Sequence, residues 1–368
     1  MKIVADDKIP FLKGVFEPFA EVVYLKGAAI SAADVADADA LVVRTRTKCN
    51  AALLEGSRVK FVATATIGYD HIAADELEKL GIAWCNAPGC NAASVAQYLA
   101  AVLTGFGVPL AGKTLGVVGV GNVGKLAVKV GNALGMRVLQ NDPPRADAEG
   151  QGAFVTLSEI AREADIVTLH VPKVTTGKYP TVKLLDEKFF ASAKKGVCLV
   201  NAARGEAADG AALKAAIQSG KVAHAAVDVW ENEPDIDREL LSLCDFGTPH
   251  IAGYSTDGKA NGTTAAVHAV AEFFGIEELK NFRAVPPPPA NETLLNADEK
   301  APVEKELHRL VCHTFDLHKT DADLRRDPAA FEQLRGSAPL RREPFAYRVF
   351  GGSPELRQKA AALGFELV

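Results

Sequence analysis

The stretch from residue 114 to residue 142 constrains this chain most, because a strand pattern, a G-x-G-x-x-G turn and a helical pattern follow one another there. The three glycines of the turn are Gly119, Gly121 and Gly124. In such a turn the first glycine permits the tight bend, the second lets the backbone approach a pyrophosphate, and the third lets the helix pack closely on the strand. The phosphates then lie at the helix N-terminus, whose free N–H groups and positive dipole end favour anions. The stretch therefore predicts the nucleus of a dinucleotide-binding fold.

The residue after the next predicted strand indicates which dinucleotide binds. This strand runs from Met136 to Asn141, and Asp142 follows it directly. A carboxylate there can accept hydrogen bonds from the adenosine ribose hydroxyls, and it would repel the 2′-phosphate of NADP. Glycine-rich turns also occur in ordinary loops, but here strand, turn, helix, second strand and acid agree in order and spacing. We therefore expect NAD as the cofactor. The residues of this stretch expected to bind it are Gly119, Gly121, Asn122, Val123, Gly124 and Asp142.

Composition narrows the class of protein. A chain of 368 residues, 48% of them hydrophobic, suggests two or three domains with real cores. The formal net charge of −5 does not indicate the basic surface that binds nucleic acid. No apolar run reaches the length of a membrane span. The six cysteines lack both the C-x-x-C pattern and the Cys/His spacing of a zinc site, so we expect reduced thiols and no bound metal. We expect a cytoplasmic protein whose partners are small molecules, not nucleic acid or membrane.

The N-terminal region predicts a separate α/β unit. Short apolar strands alternate with helical segments over the first ninety residues, a pattern typical of a parallel sheet. The predicted strands are Lys2–Ala5, Val22–Leu25, Ala40–Arg44, Phe61–Ala63 and Ile82–Cys85. A helical segment from Asn91 to Gly105 then leads into the nucleotide-binding domain, and another from Ser255 to Phe274 leads back. We therefore expect a discontinuous substrate domain, residues 1–92 and 254–284, around a nucleotide-binding domain of residues 93–253.

The nucleotide-binding domain continues beyond Asp142 as further strand and helix units. The T-x-x-E sequence from Thr156 to Glu159 is a capping box that opens a helix. The predicted strands that follow are Ile166–Leu169, Val197–Asn201 and Ala225–Val229, with a helix over Asp209–Gln218. About six strands in this order predict a doubly wound sheet.

The C-terminal region begins at a stiff linker. Four consecutive prolines, Pro286 to Pro289, break both helix and sheet. Beyond them we predict a helix over Val303–Phe315, a strand over Ala346–Phe350, a helix starting at Ser353-Pro354 and a last strand over Phe365–Val368. We interpret residues 285–368 as an α+β dimerisation domain, because an apolar unit of that size needs a surface to bury against. In the expected homodimer, Arg341 and Arg342 would be able to reach the partner subunit's phosphate site.

Three polar residues that follow strands of the nucleotide-binding domain suit hydride transfer from a hydroxy acid. Arg204 in N-A-A-R-G, Glu233 in D-V-W-E-N-E-P and His250 in T-P-H-I-A-G-Y each come after a predicted strand, so they should share one cleft. Arg204 can grip a carboxylate with its planar guanidinium, and His250 can take the hydroxyl proton. Glu233 can orient the imidazole and stabilise its protonated form. Each residue alone has an ordinary explanation, a surface ion pair or a turn, but all three beside a dinucleotide site favour catalysis.

These segments resemble those of the D-isomer-specific 2-hydroxyacid dehydrogenases. The resemblance covers essentially the whole chain, most weakly after Pro289. One subfamily is indicated by further segments: V-R-T-R-T-K at Val43–Lys48, T-A-T-I-G-Y-D-H at Thr64–His71, A-P-G-C-N at Ala87–Asn91, N-D-P-P-R-A-D at Asn141–Asp147 and H-I-A-G-Y-S-T-D-G-K-A-N-G-T at His250–Thr263.

The resemblance implies both a fold and an activity. The implied fold is α/β, with a doubly wound Rossmann nucleotide domain, a smaller flavodoxin-like substrate domain and a C-terminal dimerisation domain. The implied activity is NAD-dependent oxidation of a phosphorylated D-2-hydroxy acid, which in the subfamily is 4-phospho-D-erythronate. The implied catalytic residues are Arg204, Glu233 and His250. The residues expected to contact substrate are Thr45, Thr66 and Tyr254, and those expected to contact NAD are Val171, Ala202, Asp228, Gly253 and Tyr254.

Two positions depart from the subfamily pattern. Val171 stands where threonine is usual, so only a backbone contact to the cofactor can remain there. Lys183 stands where we would expect histidine, which changes the local detail of a loop on the cofactor side.

The substrate phosphate needs a cationic partner. Arg44, Arg46 and Lys48 follow a predicted strand of the substrate domain, where ligands bind in open α/β sheets. We hypothesise that at least one of them, with Arg44 the first candidate, contacts the phosphate.

Two other functions fit the same residues. One is oxidation of a different phosphorylated hydroxy acid, such as 3-phosphoglycerate. The other is an NAD-sensing corepressor or scaffold, since proteins of that class keep the same fold and catalytic residues.

Overall fold

The computed structural model describes residues 1–338 and 341–368. The strands are β1 (Lys2–Asp6), β2 (Glu21–Leu25), β3 (Ala40–Val43), β4 (Phe61–Thr64), β5 (Ala83–Cys85), β6 (Thr114–Val118), β7 (Arg137–Asn141), β8 (Ile166–Leu169), β9 (Val197–Asn201), β10 (Val222–Val227), β11 (Phe246–Gly247), β12 (Leu294–Ala297), β13 (Arg348–Gly351) and β14 (Glu366–Leu367). The α-helices are α1 (Ala32–Val35), α2 (Ala51–Leu54), α3 (Ala74–Lys79), α4 (Ala92–Gly105), α5 (Asn122–Ala133), α6 (Pro143–Glu149), α7 (Leu157–Glu163), α8 (Glu187–Ser192), α9 (Gly210–Gln218), α10 (Arg238–Leu243), α11 (Thr256–Phe274), α12 (Val303–Thr314), α13 (Leu317–Arg326), α14 (Phe331–Gly336) and α15 (Pro354–Ala362).

The described residues divide into two compact units. The first comprises residues 1–91 and 255–287, and the second comprises residues 92–254 and 288–368. The C-terminal segment thus groups with the nucleotide-binding region. Its assignment as a separate dimerisation domain stays a prediction.

The first unit is built on a parallel sheet of order β2-β1-β3-β4-β5. Alternate side chains of a strand point to opposite faces, so Ile3 and Ala5 join one buried cluster and Val4 joins another. The first cluster contains Val267 from α11, and the second contains Leu77 from α3. Helices therefore cover both faces of the sheet.

The second unit contains a six-stranded parallel sheet of order β11-β10-β9-β8-β6-β7. Its central strands are mostly apolar because both faces are covered, and every residue of β6, β8 and β9 is buried. The strand order reverses between β6 and β8, where ligands bind in sheets of this type. The predicted doubly wound α/β fold is confirmed. The predicted strand Ala225–Val229 has both ends wrong: β10 begins at Val222, and it ends at Val227 because Asp228 already belongs to the turn that follows.

The C-terminal segment packs against its own chain. It carries a second parallel sheet of order β12-β13-β14, and the apolar face of α12 lies in one buried cluster with α4 and α5. Gln97 on α4 donates a hydrogen bond to Thr314 on α12 at 2.7 Å. Our reason for expecting a dimer was that this segment needed a cover. That reason is wrong, because α4 and α5 supply the cover within one chain.

Two further expectations concern the whole chain. No helix among the described residues is long and apolar enough to cross a bilayer. All six cysteines are free thiols.

Candidate active site

The predicted catalytic residues follow adjacent strands of the second unit. The register pairs Leu169 of β8 with Asn201 of β9, Asn201 with Val227 of β10, and Val227 with Gly247 of β11, so these strands end at one level. Arg204, Glu233 and His250 come after β9, β10 and β11 respectively. All three therefore belong to loops at the carboxyl edge of one sheet.

His250 and Glu233 form the central pair of these loops. His250 Nδ1 lies 2.8 Å from Glu233 Oε2. An ionised carboxylate can only accept a hydrogen bond, so Nδ1 carries the ring proton and Nε2 is left as the acceptor nitrogen. The backbone of His250 has φ of 55°, in the left-handed region that residues with side chains rarely adopt, and its N–H donates to Asp228 O at 2.7 Å. Local strain of this kind is typical of functional sites.

Glu233 is held as an anion. Burial acts to raise the pKa of Glu233, but the hydrogen bonds and charge from His250 and the backbone N–H of Trp230 outweigh burial, so the pKa lies below its usual value. The Trp230 N–H donates to Glu233 Oε1 at 2.9 Å. The carboxylate is therefore fixed through both oxygens and is charged at neutral pH.

Trp230 joins the three loops, and sequence reasoning did not single it out. Its indole Nε1 donates to Thr248 O at 3.0 Å, and a Cβ on Gly205 would lie 2.1 Å from its carbonyl carbon. Glycine is therefore required at position 205, where the loop bearing Arg204 packs on the Trp230 backbone. Arg204 is half-buried, and its Nη1 donates to Ala203 O at 2.8 Å.

Asp228 organises the loop that carries His250. One carboxylate oxygen accepts hydrogen bonds from Thr248 Oγ1 at 2.6 Å and Ile251 N at 2.8 Å, and the other accepts from Ala252 N at 2.9 Å. Burial raises the pKa of Asp228, although the charge of His250 and these hydrogen bonds act against that rise. Its predicted contact to NAD stays a prediction. The observed bonds hold the backbone on both sides of His250.

Arg341 holds the same loop from the C-terminal segment. Its Nη2 donates to the carbonyl oxygens of Ala252 and, at 3.2 Å, Ser94, and its guanidinium lies 3.9 Å from the centre of the Phe315 ring. Burial lowers the pKa of Arg341 to about 10, so the side chain remains a cation at neutral pH. The expectation that Arg341 reaches a partner subunit is wrong, because the residue is only 6% exposed and is bound to its own chain.

The glycine turn has the shape that a dinucleotide requires. Gly119 has φ of 84°, and a Cβ there would lie 2.7 Å from His170 O and 2.8 Å from Val171 Cγ1. A Cβ on Gly124 would lie 2.0 Å from Gly119 O. Gly121 differs, since its φ is −74° and a Cβ there would meet no protein atom within 4 Å. Neither a positive φ nor close packing explains glycine at position 121, whereas close approach of a pyrophosphate would. The predicted Asn122 and Val123 begin α5 directly after this glycine.

Asp142, the acid expected to bind the ribose, follows β7 directly and precedes α6. Asp142 caps α6 by accepting from Arg145 N at 3.1 Å, and its other carboxylate oxygen accepts from Val120 N at 2.8 Å. The Arg145 guanidinium is engaged elsewhere, by the Glu149 carboxylate at 2.6 and 2.7 Å and by Val120 O at 2.7 Å. The nearest basic side chain in sequence is therefore paired with Glu149 and not with the Asp142 carboxylate. This arrangement favours NAD over NADP.

His170 lies in a loop of the second unit, as do Val171 and Lys183, the two positions that depart from the subfamily pattern. The His170 Nε2 lies 3.0 Å from Thr168 Oγ1, while its buried Nδ1 has no hydrogen-bond partner among the residues described. Burial lowers the pKa of His170 to about 4. Val171 lies against the glycine turn, and Lys183 Nζ pairs with Asp209 at 2.9 Å on the surface. The orphaned Nδ1 beside the turn is one polar atom that a bound nicotinamide could satisfy.

Tyr254 has a cationic neighbour that the sequence pattern did not indicate. Arg335 on α14 donates from Nε to the Tyr254 hydroxyl at 3.1 Å, and its guanidinium lies 5.7 Å from the ring centre. The two remaining predicted cofactor contacts, Ala202 and Gly253, are half-buried in the loops after β9 and β11.

The predicted substrate-binding residues belong to the first unit. Thr45 is exposed after β3, and Arg44 beside it donates from Nη1 to Lys8 O at 2.6 Å. Thr66 after β4 donates to Gly68 O at 2.9 Å, so its oxygen accepts from Thr64, 2.7 Å away. The Thr66 hydroxyl hydrogen is thus committed within the loop, and its oxygen retains one acceptor position.

Comparison with known proteins identifies the family. Residues 97–252 match the family model described as D-isomer specific 2-hydroxyacid dehydrogenase, NAD binding domain. The solved D-lactate dehydrogenase of Aquifex aeolicus, complexed with NAD and lactic acid, is similar with a TM-score of 0.61 and 26% identity, covering 78% of this chain and 100% of that one. The NAD+-bound 3-phosphoglycerate dehydrogenase of Entamoeba histolytica gives a TM-score of 0.64 and 25% identity, covering 77% of this chain and 98% of that one.

The chain belongs to the D-isomer specific 2-hydroxyacid dehydrogenase family, and it is an NAD-dependent dehydrogenase. The erythronate-4-phosphate dehydrogenase of Bacteroides fragilis is 46% identical over 341 residues, which cover 91% of this chain and 95% of that protein. The predicted family, enzyme class and cofactor are confirmed.

Proposed function

We propose that this chain oxidises 4-phospho-D-erythronate to 2-oxo-3-hydroxy-4-phosphobutanoate with NAD, in the synthesis of pyridoxal 5′-phosphate. The observation that carries the chemistry is the His250–Glu233 pair, 2.8 Å apart at the carboxyl edge of the sheet that also carries the glycine turn. The choice of substrate is supported by the 46% identity to the Bacteroides fragilis erythronate-4-phosphate dehydrogenase, which extends over nearly the whole chain.

The roles of the side chains follow from their charges and positions. Arg204 binds the substrate carboxylate through two guanidinium N–H groups, which fixes C2 and its hydroxyl. His250 Nε2 takes the proton of that hydroxyl, and Glu233 stabilises the resulting imidazolium. NAD, when bound, accepts the hydride that leaves C2. One proton and one hydride thus leave the alcohol, and the C2–O bond becomes a carbonyl.

The remaining assignments complete this proposal. Thr45, Thr66 and Tyr254 contact substrate, and a basic residue among Arg44, Arg46 and Lys48 binds the phosphate. Val171, Ala202, Asp228 and Gly253 contact NAD together with the glycine turn and Asp142. The protein works in the cytoplasm.

We also infer a homodimer, for a reason different from the one taken from sequence. Large apolar side chains of the C-terminal segment remain exposed: Leu294 at 40%, Phe345 at 57%, Phe350 at 38% and Val368 at 52%. In the register of β12 and β13, Leu294 and Phe350 lie on the exposed face of the small sheet. A second copy of the chain would bury this face.

The dimer is tested with Phe350→Asp and light scattering. We expect a wild-type dimer and a variant shifted towards monomer, with Val182→Asp, at another exposed apolar position, remaining dimeric. A monomeric wild-type protein would refute the inference.

A substrate panel tests the activity. NADH formation is measured with 4-phospho-D-erythronate, 3-phosphoglycerate, D-lactate and D-glycerate. We expect the highest kcat/KM with 4-phospho-D-erythronate. A higher value with 3-phosphoglycerate would favour the alternative phosphorylated substrate, and no turnover with any hydroxy acid would favour the scaffold.

A further inference from the structure

Three potential metal ligands meet on two helices of the C-terminal segment. His308 and Cys312 lie on α12, His318 lies on α13, and their ligand atoms are all within 4.8 Å of one another. Among residues 1–338 and 341–368 this is the one such group of histidine, cysteine or acidic side chains. None of the three has a role in the proposed reaction. The spacing His-x3-Cys-x5-His is not that of a common zinc motif, which is why the sequence predicted no metal site.

Two of the three separations between the ligand atoms are close to those of a small tetrahedral site, and the third, from Cys312 Sγ to the His318 ring nitrogen, is within 4.8 Å. His308 Nε2 lies 3.1 Å from His318 Nε2 and 3.5 Å from Cys312 Sγ. Zinc binds imidazole nitrogen at about 2.0 to 2.1 Å and thiolate sulfur at about 2.3 Å. Tetrahedral angles then place two nitrogens about 3.3 to 3.4 Å apart and nitrogen and sulfur about 3.5 to 3.6 Å apart. Cys312 Sγ lies almost as close to His308 Nδ1, at 3.7 Å, so its side chain must turn towards the Nε2 lone pair for one ion to contact all three atoms.

Neighbouring residues hold the two histidine rings in place. Thr104 on α4 donates from its hydroxyl to Ala100 O at 2.8 Å, so its oxygen accepts from His308 Nδ1, 2.9 Å away. This bond places the His308 proton on Nδ1 and leaves the Nε2 lone pair facing His318. Metal-bound histidines are usually held by such an outer hydrogen bond. The His318 ring packs edge-on against Phe246, with centroids 5.4 Å apart.

We propose that His308, Cys312 and His318 bind one divalent first-row transition metal ion, with Zn²⁺ the foremost candidate. Three protein ligands leave a fourth position for water, which exposure of His318 makes accessible. The ion would link α12 to α13 and so stabilise the C-terminal segment. The competing arrangement has no ion, and His318 Nε2 donates a simple hydrogen bond to His308 Nε2 beside a packed thiol.

Zinc titration of the full chain after chelator treatment distinguishes these arrangements. Calorimetry is performed on the wild type, on Cys312→Ser and His318→Asn, and on His313→Asn as a matched control. His313 is on the same helix, but its Nε2 lies 2.7 Å from Glu292 O, outside the cluster. We expect one Zn²⁺ per chain in the wild type and the control, and binding at least about tenfold weaker in the other two variants. Zn²⁺ should also raise the melting temperature of the wild type and the control only.

Cobalt supplies a second readout that identifies the sulfur ligand. Co²⁺ bound by the wild type should show intense tetrahedral d–d bands and a thiolate-to-metal charge-transfer band, and Cys312→Ser should lose the latter. Circular dichroism without metal establishes that each variant is folded. Absence of zinc binding, equal binding by all four proteins, or a cobalt complex without the thiolate band would overturn the proposal.

Discussion

The two larger parallel sheets of this protein use their carboxyl edges differently. In the second unit, the proposed catalytic residue His250 is bonded to Glu233. Asp228, which holds the His250 loop, is 1% exposed with both carboxylate oxygens engaged. In the first unit, Thr45, Arg46 and Lys48 are exposed. In the proposed function, the second sheet supplies preorganised chemistry and the first supplies adaptable substrate contacts. Substitutions should therefore lower kcat in the second unit and raise KM in the first.

The largest effect should come from His250→Ala. The variant lacks the group that accepts the hydroxyl proton, so kcat should fall by about a thousandfold or more, with KM changing far less. Steady-state NADH formation measures both constants. His313→Ala, which removes a histidine outside the site, serves as the control. A loss confined to KM would place His250 among the binding residues instead.

Arg341→Met should have the next largest effect, because it removes a buried cation that holds the His250 loop. The charge on Asp228 would lose a nearby positive neighbour, and we expect the free energy of unfolding to fall by about 3 kcal/mol or more. Urea unfolding measures this change, and kcat should fall with it. Arg348→Met, at an exposed position of β13, should be nearly neutral. Equal unfolding midpoints for the two variants would show that Arg341 does not support the loop.

Replacing Arg44, Arg46 or Lys48 with alanine should weaken binding of the substrate. Loss of a charge-assisted contact to phosphate costs about 1.5 to 3 kcal/mol, so at least one variant should raise KM by about ten- to a hundredfold with little change in kcat. Arg58→Ala is a matched control in the same unit, since Arg58 pairs with Asp39 at 3.0 Å on the surface. Wild-type KM values in all three variants would place the phosphate elsewhere.

A smaller effect concerns acid stability in the first unit. Burial lowers the pKa of His71 to about 4, whereas the unfolded value is 6.5. Between pH 6.5 and pH 4 the His71 imidazole binds a proton in the unfolded state but remains neutral in the folded state. Stability is therefore lost as the pH falls from 6.5 towards 4, by about 1 kcal/mol at pH 5.5 for this one group. His71→Gln, which can keep a donor near Thr64, should show a flatter dependence in urea unfolding at pH 7 and pH 5.5; an unchanged slope would contradict this assignment.

Local patterns predicted the sheets and the glycine turn because their causes are local. The strands β1 to β4 and β6 to β9 follow apolar runs, and Thr156 and Ser353 cap helices where their sequences indicated. The turn after β6 requires glycines at fixed spacing. This requirement can therefore be read from the local sequence alone.

Features that depend on distant packing were not predictable from local patterns. α13 was missed because only Leu317 and Leu324 of its ten residues are buried, which gives a weak helical stripe. Arg341 looked like a surface residue, since nothing near it in sequence indicates that Phe315, Ser94 and Ala252 enclose it. Trp230 and Arg335 likewise acquire their contacts only in the folded chain.

The central claim is that His250 accepts the substrate proton with Glu233 as its anionic partner. The pH profile of kcat/KM for oxidation in Glu233→Gln tests it most directly, because glutamine keeps the shape and removes the charge. Without that charge the imidazolium is less favoured, so the acidic limb should move to lower pH. The plateau should nevertheless fall by about a hundredfold or more, since the imidazolium formed during oxidation has lost its stabilising partner. A Glu233→Gln enzyme with both the limb and the plateau of the wild type would contradict the claim.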